Sequence, residues 1–184
     1  MPRIPALDPA TAPGDAKTLM DGVRSSIGMV PNIFATFAQS PKVLEGFLAF
    51  NGALGDGLLP GVLREQIALA MAGANRCDYC ASAHSLMAKG AGVAEDERAR
   101  NLRGESVDAK TAAALAFVRS VVHQRGKVGD AEVASLRTVG FSDGEIVEIV
   151  AHIGVNMFTN YFNHIVDTEI DFPAVRTTGT AAAA

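Results

Sequence analysis

Apolar positions along this chain recur three and four residues apart, the period of an α-helix, and no stretch alternates in the manner of a strand. The pattern predicts a helix near residues 15–27, then a break in "GMVPN", where Pro31 restarts the chain. Ser40-Pro41 reads as an N-cap followed by proline at the first helical position, opening a helix to about residue 54. "GDGLLPG" breaks it, and Pro60 starts the next, "GVLREQIALAMAGA". That helix is apolar on nearly every side, with Arg64, Glu65 and Gln66 as its only polar residues, and so belongs in the middle of a domain. Asn75-Arg76 turns the chain into a helix that runs from Cys77 to Lys89 and stops at Gly90. A polar segment, 92–105, leads to helices at about 107–125 and 130–139. Ser142 and Glu145 form a capping-box pattern that opens a last long helix, roughly 143–167. The expectation is an all-α, single-domain helical bundle over residues 15–173. A Pro-rich arm (1–14) precedes it and a flexible, loosely held tail (174–184) follows.

Composition adjusts this picture in three ways. At 184 residues the chain can bury roughly 70 % of the surface its unfolded form would expose, so it needs no disulfide staples. Apolar residues make up 48 %, aromatics only 6 %, and tryptophan is absent, which suits close-packed helices built on Ala, Val, Leu and Ile. A net charge of −4, with no Lys/Arg cluster, argues against a nucleic-acid surface. The start carries no basic stretch followed by an apolar run, and no segment approaches the length of a membrane span. A cytoplasmic location is expected, where thiols stay reduced and a CxxC is redox-active or metal-binding more often than structural.

The chemistry concentrates in "NRCDYCASAH", residues 75–84. On a helix, Cys77, Cys80, His84 and Met87 share one face, while Asp78, Ser82, Ser85 and Lys89 lie on the opposite, solvated side. An ordinary thiol is only about 3 % ionised at pH 7, and lowering its pKa by about two units, worth about 2.7 kcal/mol, makes it mostly thiolate. The helix N-terminus and His84 are the expected sources of that shift. Glu65 lies twelve residues before Cys77, on an apolar stripe with Val62, Leu69 and Ala72. If the two helices form an antiparallel hairpin, Glu65 stands roughly 14 Å above the turn and His84 roughly 12 Å, which sets them level. A desolvated carboxylate there should have a raised pKa and can hold or relay a proton. Glu65, His84 and Cys80 then read as base, orienter and nucleophile. Two other readings stand beside this one. Cysteine and a lone histidine on an apolar face are often plain core residues. Cys77, Cys80, His84 and Glu65 could also form a four-ligand structural zinc site in a helical binding or scaffold protein.

Glu65, eleven residues, Cys77-Asp78-Tyr79-Cys80, three residues, His84 resembles the E-x11-C-x2-C-x3-H signature of AhpD-like alkylhydroperoxidases, within the carboxymuconolactone decarboxylase family. "GMVPNIFATFAQSPKVLEGF" looks like the segment such proteins carry upstream, and the stretch from Gly140 to Pro173 like their closing helix and tail. The resemblance implies an all-helical fold assembled as trimers or hexamers, no cofactor, and a dithiol that reduces hydroperoxides or a partner's disulfide. It implies that Cys80 attacks the peroxide, Cys77 resolves the sulfenic acid, and His84 and Glu65 complete a proton relay. A lipoyl-type or thioredoxin-like dithiol protein would be the reductant. One departure stands out: the best-studied branch has a second histidine just before the second cysteine, and this chain has Tyr79. The relay is then expected to be shorter and peroxidase activity weaker.

Sliding the chain by 80 residues lays Glu65 on Glu145 and His84 on His164, a pattern that fits either an old duplication or chance. On the last helix His152, Asn156, Asn160 and Asn163 form a polar row, read here as packing or an oligomer contact in preference to a pocket wall.

Overall fold

The computed structural model describes residues 1–177, which hold nine α-helices and no strand among the described residues. In chain order they are α1 (Gly14–Ile27), α2 (Asn32–Phe37), α3 (Pro41–Gly55), α4 (Gly61–Ala74), α5 (Asp78–Gly90), α6 (Glu95–Leu102), α7 (Ala109–His123), α8 (Asp130–Thr138) and α9 (Asp143–Val166). The helix that is apolar all round, α4, is the central one and packs against α5, α6, α7 and α9. Its two sides serve different cores. Leu69 and Ala72 join Met20, Phe37, Leu44 and the α5 cysteines on one side. Ile67, Ala70 and Met71 join Leu115, Val118, Leu136 and Ile149 on the other.

Local chemistry explains the boundaries. α1 ends at Gly28, whose φ of 81° only glycine adopts without strain. α7 is capped by Asp108, which accepts from the Thr111 N–H at 2.8 Å. α9 opens with the reciprocal Ser142–Glu145 capping box. Between α4 and α5, Arg76 takes a left-handed φ of 55°. The Cys77 N–H then reaches back to the Ala72 carbonyl and the Arg76 N–H to Gly73, the paired bonds of a Schellman ending. This turn folds α5 back along α4.

Two expectations need correction. The polar segment 92–105 contains a helix, α6, whose apolar signal is too thin to read: only Asn101 and Leu102 are buried. It is held by closeness to α4, since a Cβ on Gly73 would lie 1.7 Å from the Leu102 carbonyl oxygen. Next, the face of α5 expected to be solvated is covered at its start, at Asp78 and Ser82, while Lys89 stays exposed. Ser82 is buried and exchanges hydrogen bonds with Val175, whose N–H donates to Ser82 Oγ at 2.9 Å. Asp78 accepts from the Thr177 N–H and hydroxyl and from Arg176. Residues 174–177, assigned above to a loose tail, are therefore tied to α5, while 178–184 lie outside the described residues. The Pro-rich arm 1–14 is fastened too. The Arg3 guanidinium donates to the carbonyls of His164 and Ile165 at the end of α9, where a positive charge suits the helix dipole.

Candidate functional site

The site grows out of the α4–α5 hairpin. Cys77 is the N-cap of α5, and its Sγ accepts from the Cys80 N–H at 3.4 Å. The helix N-terminus therefore serves the sulfur of Cys77 directly. Both thiols are free and buried. Cys80 has a different set of neighbours. The Asn163 side-chain amide on α9 donates to its Sγ at 3.2 Å. Cys80 is lowered to about 6, first by the hydrogen bond from the Cys77 thiol, against the opposing effect of burial, and then by the charge of His84 and the Asn163 amide. Cys77 is pushed the other way, because it holds its proton toward the Cys80 sulfur and sits in apolar surroundings. The pair thus has one acidic and one reluctant thiol.

One turn beyond Cys80, His84 meets Glu65 across the hairpin, with Nδ1 and Oε2 2.8 Å apart. A carboxylate can only accept, so Nδ1–H donates and Nε2 is left as the nitrogen that takes or gives a proton. Both side chains are about one-fifth exposed, at 21 % and 23 %. Burial works against charging His84, but the charge and hydrogen bond of Glu65 outweigh it, and its pKa lies above that of an ordinary imidazole. Glu65 and His84 are thus bonded to one another across the hairpin, the two side chains that helix arithmetic sets level.

Cys80, His84 and Glu65 face one cavity of about 970 Å³. Tyr79 also reaches it, but its hydroxyl accepts from the Ile33 N–H at 3.3 Å, and burial pushes its pKa well up. A phenol so held is a wall and not a proton carrier. The polar row of α9 divides. His152, Asn156 and Asn163 line the cavity, whereas Asn160 accepts from Asn75. Reading the whole row as packing or interface missed the amide beside Cys80. The available signal was that a buried asparagine on an apolar helix must find a partner. Glu145 and His164 do not form a second site: the first caps α9, and the second bonds the Asn75 carbonyl. Among the described residues no three His, Cys, Asp or Glu side chains gather closely enough to hold a metal ion, so the zinc reading has no ligand set there.

The bundle thus carries a free Cys77–Cys80 pair at a helix start, backed by a glutamate–histidine pair. Residues 41–123, spanning α3 to α7, match the model of the carboxymuconolactone decarboxylase family. A peroxidase-related protein from Ralstonia eutropha JMP134, an alkylhydroperoxidase AhpD core, has the same fold with a TM-score of 0.81 and 28 % identity over 92 % of each chain. A peroxidase-related protein from Silicibacter sp. TM1040 follows at 0.79 and 24 %, over 91 % of this chain and 92 % of that one. The debrominase Bmp8, solved with 2,3,4-tribromopyrrole, shares the fold at 0.78 and 22 %, over 92 % and 91 %. Among curated proteins none matches the chain. The matched segment and the shared all-α fold agree with the resemblance read from the sequence. No helix among the described residues is long and apolar enough to cross a membrane.

Proposed function

We propose that this protein is a thiol-dependent oxidoreductase that uses Cys77 and Cys80 to reduce alkyl hydroperoxides or a partner's disulfide. The observation that carries this reading is an acidified Cys80 at a cavity wall, bonded by Asn163 and one turn from the His84–Glu65 pair. The Cys80 thiolate attacks the outer oxygen of the hydroperoxide, the O–O bond breaks, and Cys80 becomes a sulfenic acid. The departing alkoxide takes a proton from His84, whose charge Glu65 steadies. Cys77 then attacks the Cys80 sulfur, forming the disulfide, and the released hydroxide leaves as water with the Cys77 proton. The sum is two thiols and a hydroperoxide giving one disulfide, an alcohol and water. A lipoyl-type or thioredoxin-like dithiol resets the pair. With Tyr79 in place of a second histidine, the relay has a single imidazole. A reducing compartment such as the cytoplasm suits a resting dithiol. Exposed Phe50, Phe158 and Ile165 suit a homo-oligomer, a trimer or hexamer.

Role assignment is tested by paired substitutions. Cys80→Ser should abolish hydroperoxide consumption. Cys77→Ser should consume one equivalent and leave a sulfenic acid at Cys80 that dimedone traps. A Cys77→Ser protein that reacts without an adduct at Cys80 would reverse the assignment.

A further inference from the structure

The cavity has two unlike walls. Leu19, Val23, Phe34, Phe47 and Leu48 make an apolar side. The polar side comes from α9, with His152, Asn156, Thr159 and Asn163. Asn163 touches Cys80, and His152 lies eleven residues earlier, roughly 16 Å along the helix.

Two groups at that end, where the charges of Glu65 and His84 are felt, take no part in the thiol steps themselves. The first is Arg64. Its Nη1 bonds the carbonyls of Leu54 and Gly55 at the end of α3, but among the described residues the rest of the guanidinium has no partner and no carboxylate lies within ion-pair distance. Nearby carboxylates are engaged: Glu65 with His84, and Glu148, outside the cavity wall, with the N–H groups of Leu58 and Leu59. The second is His152, only 6 % exposed, whose Nε2 has no hydrogen-bond partner among the described residues. Burial, and then the charge of Arg64, hold its pKa down, so the ring offers a neutral N–H and not a second cation. A buried polar atom without a partner is costly, and such an atom in a native site calls for an explanation.

We propose that Arg64 and the His152 imidazole form a carboxylate-binding end of this cavity, which makes its ligand an amphipathic acid whose apolar chain lies along the α1–α3 wall. The guanidinium suits a carboxylate in shape and charge, and a neutral imidazole N–H adds a donor without a further desolvated charge. The separation from Cys80 fits a medium- to long-chain acid. This deepens the peroxide reading, on which only its last part rests: the hydroperoxide reduced at Cys80 would be that of a fatty acid.

Calorimetry on the full reduced chain separates the two parts. Dodecanoate, kept below its micelle concentration, should bind at least tenfold tighter than methyl dodecanoate and should slow alkylation of Cys80. Both His152→Phe, which keeps ring volume, and Arg64→Gln should bring the acid-to-ester ratio toward one. Arg64→Lys, which keeps the charge should Arg64→Gln fail to fold, should retain most of the preference. Equal binding of acid and ester, or a ratio untouched by His152→Phe, overturns the site. In turnover, a hydroperoxide of linoleic acid should exceed its methyl ester at least tenfold in kcat/KM. If neither is reduced while dodecanoate still binds selectively, the acid site stands and the peroxide reading falls.

Discussion

The two cores on either side of α4 are built from similar residues but differ in what they enclose. The side formed with α7, α8 and α9 is solid, with Ile67, Met71, Leu115, Leu136 and Ile149 all fully buried. The side formed with α1, α2, α3 and α5 surrounds a large cavity and keeps polar groups along it: Glu65, His84, His152 and Asn163. One helix thus separates a region that supplies stability from a region that holds chemistry. Stability tolerates no voids, whereas a ligand site needs one.

That division can be broken from either side. Leu115→Ala empties space in the solid core and should cost about 3 kcal/mol, read from urea unfolding. The pH midpoint of Cys80 alkylation should stay where it is, and a midpoint that moves with stability would show the two regions to be one. Glu65→Gln should do the reverse. Hydroperoxide turnover should fall by about a hundredfold, the low end of what general acid–base groups contribute, with little change in unfolding. Unchanged turnover would remove Glu65 from the chemistry. The smallest effect is expected at Asn163→Ala. The wild-type alkylation rate should rise with pH through a midpoint near 6, because the thiolate is the reactive form. Losing the amide donor favours the thiol, so the midpoint should climb by roughly one unit, about 1.4 kcal/mol. The rate should fall between pH 5 and 7 and be unchanged above 8; a downward shift would mean that the amide does not stabilise the thiolate.

How much of this could be read beforehand depended on distance along the chain. Glu65 and His84 are joined by a two-helix hairpin with a short turn, so helix arithmetic alone sets them level, and the 2.8 Å contact follows. Asn163 lies 83 residues from the sulfur it touches, and no local period encodes that meeting. α6 escaped notice because its hold on α4 depends on the absence of a side chain at Gly73, not on an apolar stripe of its own. The covering of Asp78 and Ser82 escaped for a related reason. Their polarity suggested water, but their partners turned out to be the backbone of Val175 and Thr177. The cavity itself leaves no mark in the hydrophobic pattern, since residues lining a void and residues filling a core look alike.

The fastening of both chain ends has a bearing on how the molecule is made. Arg3 bonds the far end of α9, and Thr177 bonds the first residue of α5, so the dithiol side is sealed by pairings more than ninety positions apart. Contacts that close such long loops form late, after the more local helix pairs have settled. During synthesis the outer flank of the cysteine helix therefore waits uncovered until residue 177 has been added, and the two sulfurs pass through that interval with less shelter than the finished molecule gives them.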